Sequence, residues 1–150
     1  MTDRMKLHQY RELGLIGQAR LAIAKARLAE AEQERGQCDK AANEAEQRTG
    51  NAYQAWSESI ASAMLAPTAL QAAAGRLLAA ESALVGARKQ LEAATREADE
   101  AARIFQAAEA RARAEGERSR RLGRRYRASV EERGQVEVAD LLLMRRKGSR

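Results

Sequence analysis

The sequence predicts an all-α protein, two long helices folded into an antiparallel coiled-coil hairpin with its turn near Ala66-Pro67-Thr68. Three observations predict it. Small and apolar residues recur at heptad spacing along most of the chain. Ala, Glu, Arg, Gln and Leu dominate, with 32 % of residues charged and only 3 % aromatic, the composition of long helices and not of a compact globule. The single proline, Pro67, falls near the middle of 150 residues, and no β-rich segment competes.

Helix 1 is expected over about residues 3–65. One seam row reads Leu7, Gly14, Leu21, Leu28, Arg35, Ala42, Thr49, Trp56 and Ala63; the other reads Tyr10, Gly17, Ala24, Ala31, Cys38, Ala45, Ala52 and Ser59. Small residues dominate both, which allows helix axes to approach closely because little side chain stands between them. Arg35 is an expected weak point. Each interior glycine weakens a helix by about 1 kcal/mol relative to alanine, so local bends are expected, most of all between Gly116 and Gly123 in the second helix.

Pro67 lacks an amide hydrogen and disfavours helical geometry at Ala66, while Thr68 followed by Gln71 fits a capping box. The chain should stop and restart here, and so short a connection makes the two helices antiparallel neighbours.

Helix 2 is expected over about residues 69–145. Its rows are Leu70, Leu77, Leu84, Leu91, Ala98, Phe105 and Ala112, with Ala73, Ala80, Ala87, Ala94, Ala101 and Ala108 three positions further on. A large residue at one seam position and alanine at the other is the pattern of a packed seam. Folding about Pro67 sets Trp56 near Leu77, Leu28 near Phe105 or Ala108, Leu21 near Ala112 and Leu7 near Tyr126. Residues 133–150 are left without an opposing helix, so the C-terminal part of helix 2 should project beyond helix 1. The whole chain, 1–150, reads as one hairpin domain.

The residues do not predict an enzyme. One histidine, His8, and one cysteine, Cys38, are too few for a zinc cluster and lack the neighbours that activate a nucleophile. No glycine-rich phosphate loop is present, and a two-helix hairpin offers no concave pocket for catalytic carboxylates. No cofactor or metal is expected; His8 reads as a solvated helix residue and Cys38 as a small seam residue. The lone cysteine, the polar N-terminus and the shortness of the apolar runs Ile60 to Ala66 and Ala139 to Met144 predict a cytoplasmic protein with no transmembrane segment.

The net charge of +6 is uneven: Lys and Arg against Asp and Glu number 9 to 8 in residues 1–50, 4 to 6 in 51–100, and 14 to 7 in 101–150. In the stretch 111–127, Arg111, Arg113, Arg118, Arg120, Arg121, Arg124, Arg125 and Arg127 are opposed only by Glu115 and Glu117, and Tyr126 is the one aromatic. Such a stretch suits an acidic protein surface, a solvated face or sequence-independent phosphate binding. Nucleic acid is not expected as the main partner, because the interleaved aromatics of single-strand binders are missing.

The tail places Val136, Val138, Leu141, Leu142, Leu143 and Met144 before Arg145, Arg146 and Lys147. It reads as a segment folded back on Met5, Leu7 and Leu13 or as a partner-binding helix, with a membrane-surface role a distant third. Around the turn, Trp56, Ile60, Met64 and Leu65 supply more apolar bulk than closing the hairpin requires. Leu70 closes the same cluster; Trp56 is the expected plug, and Ile60 and Met64, which sit off the seam, are the better candidates for an exposed contact surface.

The turn at Ala66-Pro67-Thr68, the basic run from Arg111 to Arg127 and the ending Asp140-Leu141-Leu142-Leu143-Met144-Arg145-Arg146 together resemble the FliJ/YscO family, the central-stalk proteins of flagellar and virulence type III secretion systems. The resemblance covers the whole chain and is architectural. It implies a non-enzymatic stalk, similar to the rotor subunit of rotary ATP synthases. The end holding both termini would sit in the pore of a hexameric export ATPase, and the hairpin would meet the cytoplasmic domain of a membrane-embedded export gate, with secretion chaperones as further partners. By position, Arg120, Arg121, Arg124, Arg125, Tyr126, Arg127, Leu141, Leu142, Leu143, Arg145 and Arg146 would engage the ATPase, and Trp56, Ile60, Met64 and Leu65 the gate. A basic nucleic-acid-binding coiled coil and a self-assembling coiled-coil scaffold are the alternatives.

Overall fold

In a computed structural model, residues 3–62 and 66–147 are described. They form two helices, α1 (Asp3–Ala61) and α2 (Pro67–Lys147), and no strand. The protein is an all-α helical hairpin. At 81 residues α2 outruns the 59 of α1, so part of it has no α1 to lie against.

The turn differs from expectation in its capping. The N–H groups of Ala69 and Leu70 donate to the Ala66 carbonyl at 3.0 and 3.2 Å, and Pro67 is already helical. Proline is favoured at a first helical position because an amide hydrogen there would have no partner and its φ is preset. Thr68 therefore lies inside the first turn of α2 instead of capping it, and Ala66 takes the cap position. On the other side α1 ends at Ala61, with Ser62 N–H donating to the Glu58 carbonyl at 3.1 Å. Ala63, Met64 and Leu65 lie outside the described residues.

The chain divides into two units. The turn unit, Ala24–Ile104, holds every buried side chain among the described residues: Ala24, Ala42 and Ala45 from α1 and Ala73, Ala94 and Ala98 from α2. All six stand on the rows that the heptads define. The larger row members Leu28, Trp56, Leu77, Leu84 and Leu91 are half-buried and flank them. Arg35 is the one described row member in this unit that is exposed, because its long stem carries the guanidinium out of the seam to water. The Thr49 hydroxyl donates to the Ala45 carbonyl at 2.8 Å, which keeps a polar group in the seam satisfied. Arg88 Nη2 reaches Glu46 Oε1 across the two helices at 3.4 Å.

The terminal unit comprises Met1–Ile23 and Phe105–Arg150. Among its described residues none is buried. Leu7 of α1 lies 3.9 Å from where a Cβ on Gly123 would stand, and Gly17 faces Glu115, whose Cδ would be 3.5 Å from a Cβ there. As α1 advances its α2 partner recedes, so the helices are antiparallel here as well. No frayed stretch interrupts α2 at Gly116 or Gly123: it runs as unbroken helix through both. These glycines are half-buried, and a Cβ added at Gly123 would stand in ordinary contact with Leu7 without displacing it.

The two-row pattern does not anticipate a third row. Thr95, Ala102, Glu109, Gly116 and Gly123, each one residue past the alanine row or its continuation, are also half-buried. A straight helix with about 3.6 residues per turn drifts by roughly 20° per heptad against an ideal 3.5 repeat, so successive repeats bring the neighbouring row into the contact.

Candidate functional site

The candidate surface lies in the terminal unit. All the arginines from Arg111 to Arg127 are exposed. Some are held along their own helix. Arg113 pairs with Glu109 at 2.7 Å and Arg121 with Glu117 at 3.5 Å. Arg120 Nε donates to the Gly116 carbonyl at 3.3 Å, and Arg127 Nε to the Gly123 carbonyl at 3.4 Å. The two glycine-arginine steps repeat at heptad spacing: a residue without a side chain leaves its carbonyl open to the arginine one turn on, which lays that guanidinium back along α2. Arg111, Arg118, Arg124 and Arg125 have no ion pair among the described residues.

The structure gathers the predicted residues into two places and leaves others apart. Arg120, Arg121 and Arg124 line a shallow depression with Glu117. Tyr126 and Arg127 instead line a groove with Arg4, Met5, Leu7, His8, Arg11 and Gly123, of about 840 Å³. That confirms the expected approach of Leu7 to Tyr126. It also brings in Arg4 and Arg11, which charge counting passed over because nothing local distinguishes them. Their signal was the hairpin register, which sets the first turns of α1 against residues 123–127. His8 is exposed and its Nε2 lies 3.9 Å from Glu12. Arg125 lines neither place.

From Val130 to Lys147 every residue is exposed. The tail therefore does not fold back on Met5, Leu7 and Leu13. Leu141, Leu142, Leu143 and Met144 are between 56 % and 73 % exposed. At about 100° per residue, four consecutive positions span roughly 300° of the helix circumference, so they form an apolar collar and not a stripe. Arg145, Arg146 and Lys147 follow in the last turn, where cations complement the helix dipole.

In the turn unit Trp56 is half-buried, and its ring stands 5.9 Å from that of Tyr53 in a tilted pair. Ile60 is 47 % exposed, off the seam as its spacing requires. Met64 and Leu65 lie outside the described residues. Cys38 is half-buried in its seam row.

Among the described residues no group of three His, Cys, Asp or Glu side chains stands close enough to hold a metal ion, and no helix is long and apolar enough to cross a membrane. Glu115 Oε2 is buried against Gly17 and has no hydrogen-bond partner.

Fold and surface together define an all-α helical hairpin with a basic α2 distal stretch and an unpaired, apolar-collared C-terminal segment. No protein-family model, no curated protein and no solved structure matches this chain.

Proposed function

We propose that this protein is a non-enzymatic stalk or adaptor of a type III protein secretion apparatus, coupling a hexameric export ATPase to the export gate from the cytoplasmic side of the membrane. The observation that carries the reading is the collar of Leu141, Leu142, Leu143 and Met144, exposed on α2 beyond its last contact with α1. A helix that is apolar all round is stable only when surrounded. A flat partner surface or a one-sided groove covers at most half of such a collar, whereas the pore of a ring covers all of it. Glu137 and Asp140 stand directly before the collar, whereas Arg145, Arg146 and Lys147 follow it and Arg124 and Arg125 lie farther back on α2; these cations suit an acidic surface on the surrounding partner. The resemblance of the turn, the basic run and the tail to the FliJ/YscO pattern supports the same assignment, and with it the gate and secretion chaperones as partners of the remaining surface. Trp56, Ile60, Met64 and Leu65 are the proposed gate contact.

The test is affinity purification of the full chain from its own cells, with mass spectrometry of what is retained. The expected result is recovery of a hexamer-forming ATPase that is lost from the variants Leu142→Asp and Arg124→Glu/Arg125→Glu. Recovery of nucleic acid in a salt-sensitive manner, or of this chain alone, would replace the stalk with a basic binding coiled coil or a self-assembling scaffold.

A further inference from the structure

The groove between the start of α1 and residues 123–127 of α2 has a chemistry of its own. Its lining carries Arg4, Arg11 and Arg127 and no carboxylate. None of the three has an ion pair among the described residues, although five other arginines of the chain do. The Nε of Arg127 donates to the Gly123 carbonyl, which lays its guanidinium along α2 where it lines the groove, and its terminal nitrogens have no partner among the described residues. The floor is different in kind. Leu7 and Tyr126 are half-buried there, and the cleft is open at Gly123 because no side chain fills it.

We infer that this groove is a binding site for an acidic peptide segment of another protein, one bulky apolar side chain seated on Leu7, Tyr126 and Gly123 and flanking carboxylates held by Arg4, Arg11 and Arg127. Planar guanidinium groups pair with carboxylates through two parallel hydrogen bonds, stronger than neutral ones. The apolar floor selects peptide over nucleic acid. Phosphates need only the cations, and a single half-buried tyrosine is no platform for successive bases. The inference does not rest on the stalk reading, since the groove is built from residues outside the collar.

Random short peptides displayed on phage and selected against the full chain test it. The selected peptides are expected to carry Asp or Glu on both sides of a Phe, Trp or Leu. Their affinity should fall about tenfold or more for Gly123→Leu, which fills the floor, and for Arg127→Glu. Gly134→Leu places the same side chain on α2 where nothing lies within 4 Å, and should bind like the parent. Circular dichroism checks that the variants keep the parent's helicity; should Gly123→Leu lose it, Arg127→Glu and Arg11→Glu decide. Selected peptides without acidic enrichment, binding undiminished in Gly123→Leu and Arg127→Glu, or displacement by oligo-dT at lower concentration than by the acidic peptides would each overturn the assignment.

Discussion

The turn unit and the terminal unit are built from the same two helices and differ in what they put between them. In Ala24–Ile104 the seam closes on alanine, and six alanines are buried. In the unit formed by Met1–Ile23 and Phe105–Arg150 the corresponding rows include Gly14, Gly17, Glu115 and Ser119, the row beside them includes Gly116 and Gly123, and no described residue is buried. Alanine seams draw helices together and leave nothing for a partner to fill. Glycine and polar positions leave a cleft, an orphaned carboxylate oxygen and a run of exposed arginines. The difference separates the part of the chain that secures the hairpin from the part that offers chemistry to something else.

Charge placed in the two seams should break them unequally. Ala98 is 3 % exposed, and Ala98→Glu buries an unpaired carboxylate against the facing helix; a loss of about 3 kcal/mol or more is expected in urea or thermal unfolding. Ala112→Glu, at a half-buried row position of the terminal unit, should lower stability by only about 1 kcal/mol. Equal losses would mean that the terminal seam is as tight as the other.

Glu115 sharpens the comparison from the opposite side. Replacing a buried, unpartnered oxygen with an apolar side chain removes a desolvation penalty, so Glu115→Leu should raise stability by about 1 kcal/mol, while Glu115→Gln, still polar, should not. Gly134→Ala, on the exposed end of α2 with nothing within 4 Å, should add about 0.5 to 1 kcal/mol through helix propensity alone. The smallest effect belongs to Arg88, paired with Glu46 at 3.4 Å with both side chains largely exposed. Arg88→Ala should shift stability by less than about 0.5 kcal/mol.

Much of this architecture is legible in the residues because heptad spacing is a direct projection of the buried face. Apart from Arg35, every row member among the described residues is buried or half-buried. The lone proline marks the reversal, and its position sets a register that correctly brings Leu7 to Tyr126. What spacing cannot show is whatever depends on the real pitch or on two distant segments meeting. The third row through Thr95, Ala102 and Glu109 arises from the drift of a straight helix. The cap stands at Ala66 and not at Thr68 because Pro67, with no amide hydrogen to satisfy and its φ preset, takes the first helical position. Gly116 and Gly123 read as breakers in isolation, yet α2 passes through both as continuous helix. Arg4 and Arg11 became site residues only once α2 stood beside them.

In the proposed assembly the tail collar is encircled by its partner. Photo-reactive amino acids placed singly at Leu141, Leu142, Leu143 and Met144 of the full chain, in its own cells, test that most directly. All four positions should cross-link to one and the same ring-forming ATPase, since they point in directions spanning most of the helix circumference. Cross-links confined to one side of the helix, to this chain itself, or to no partner at all would contradict it.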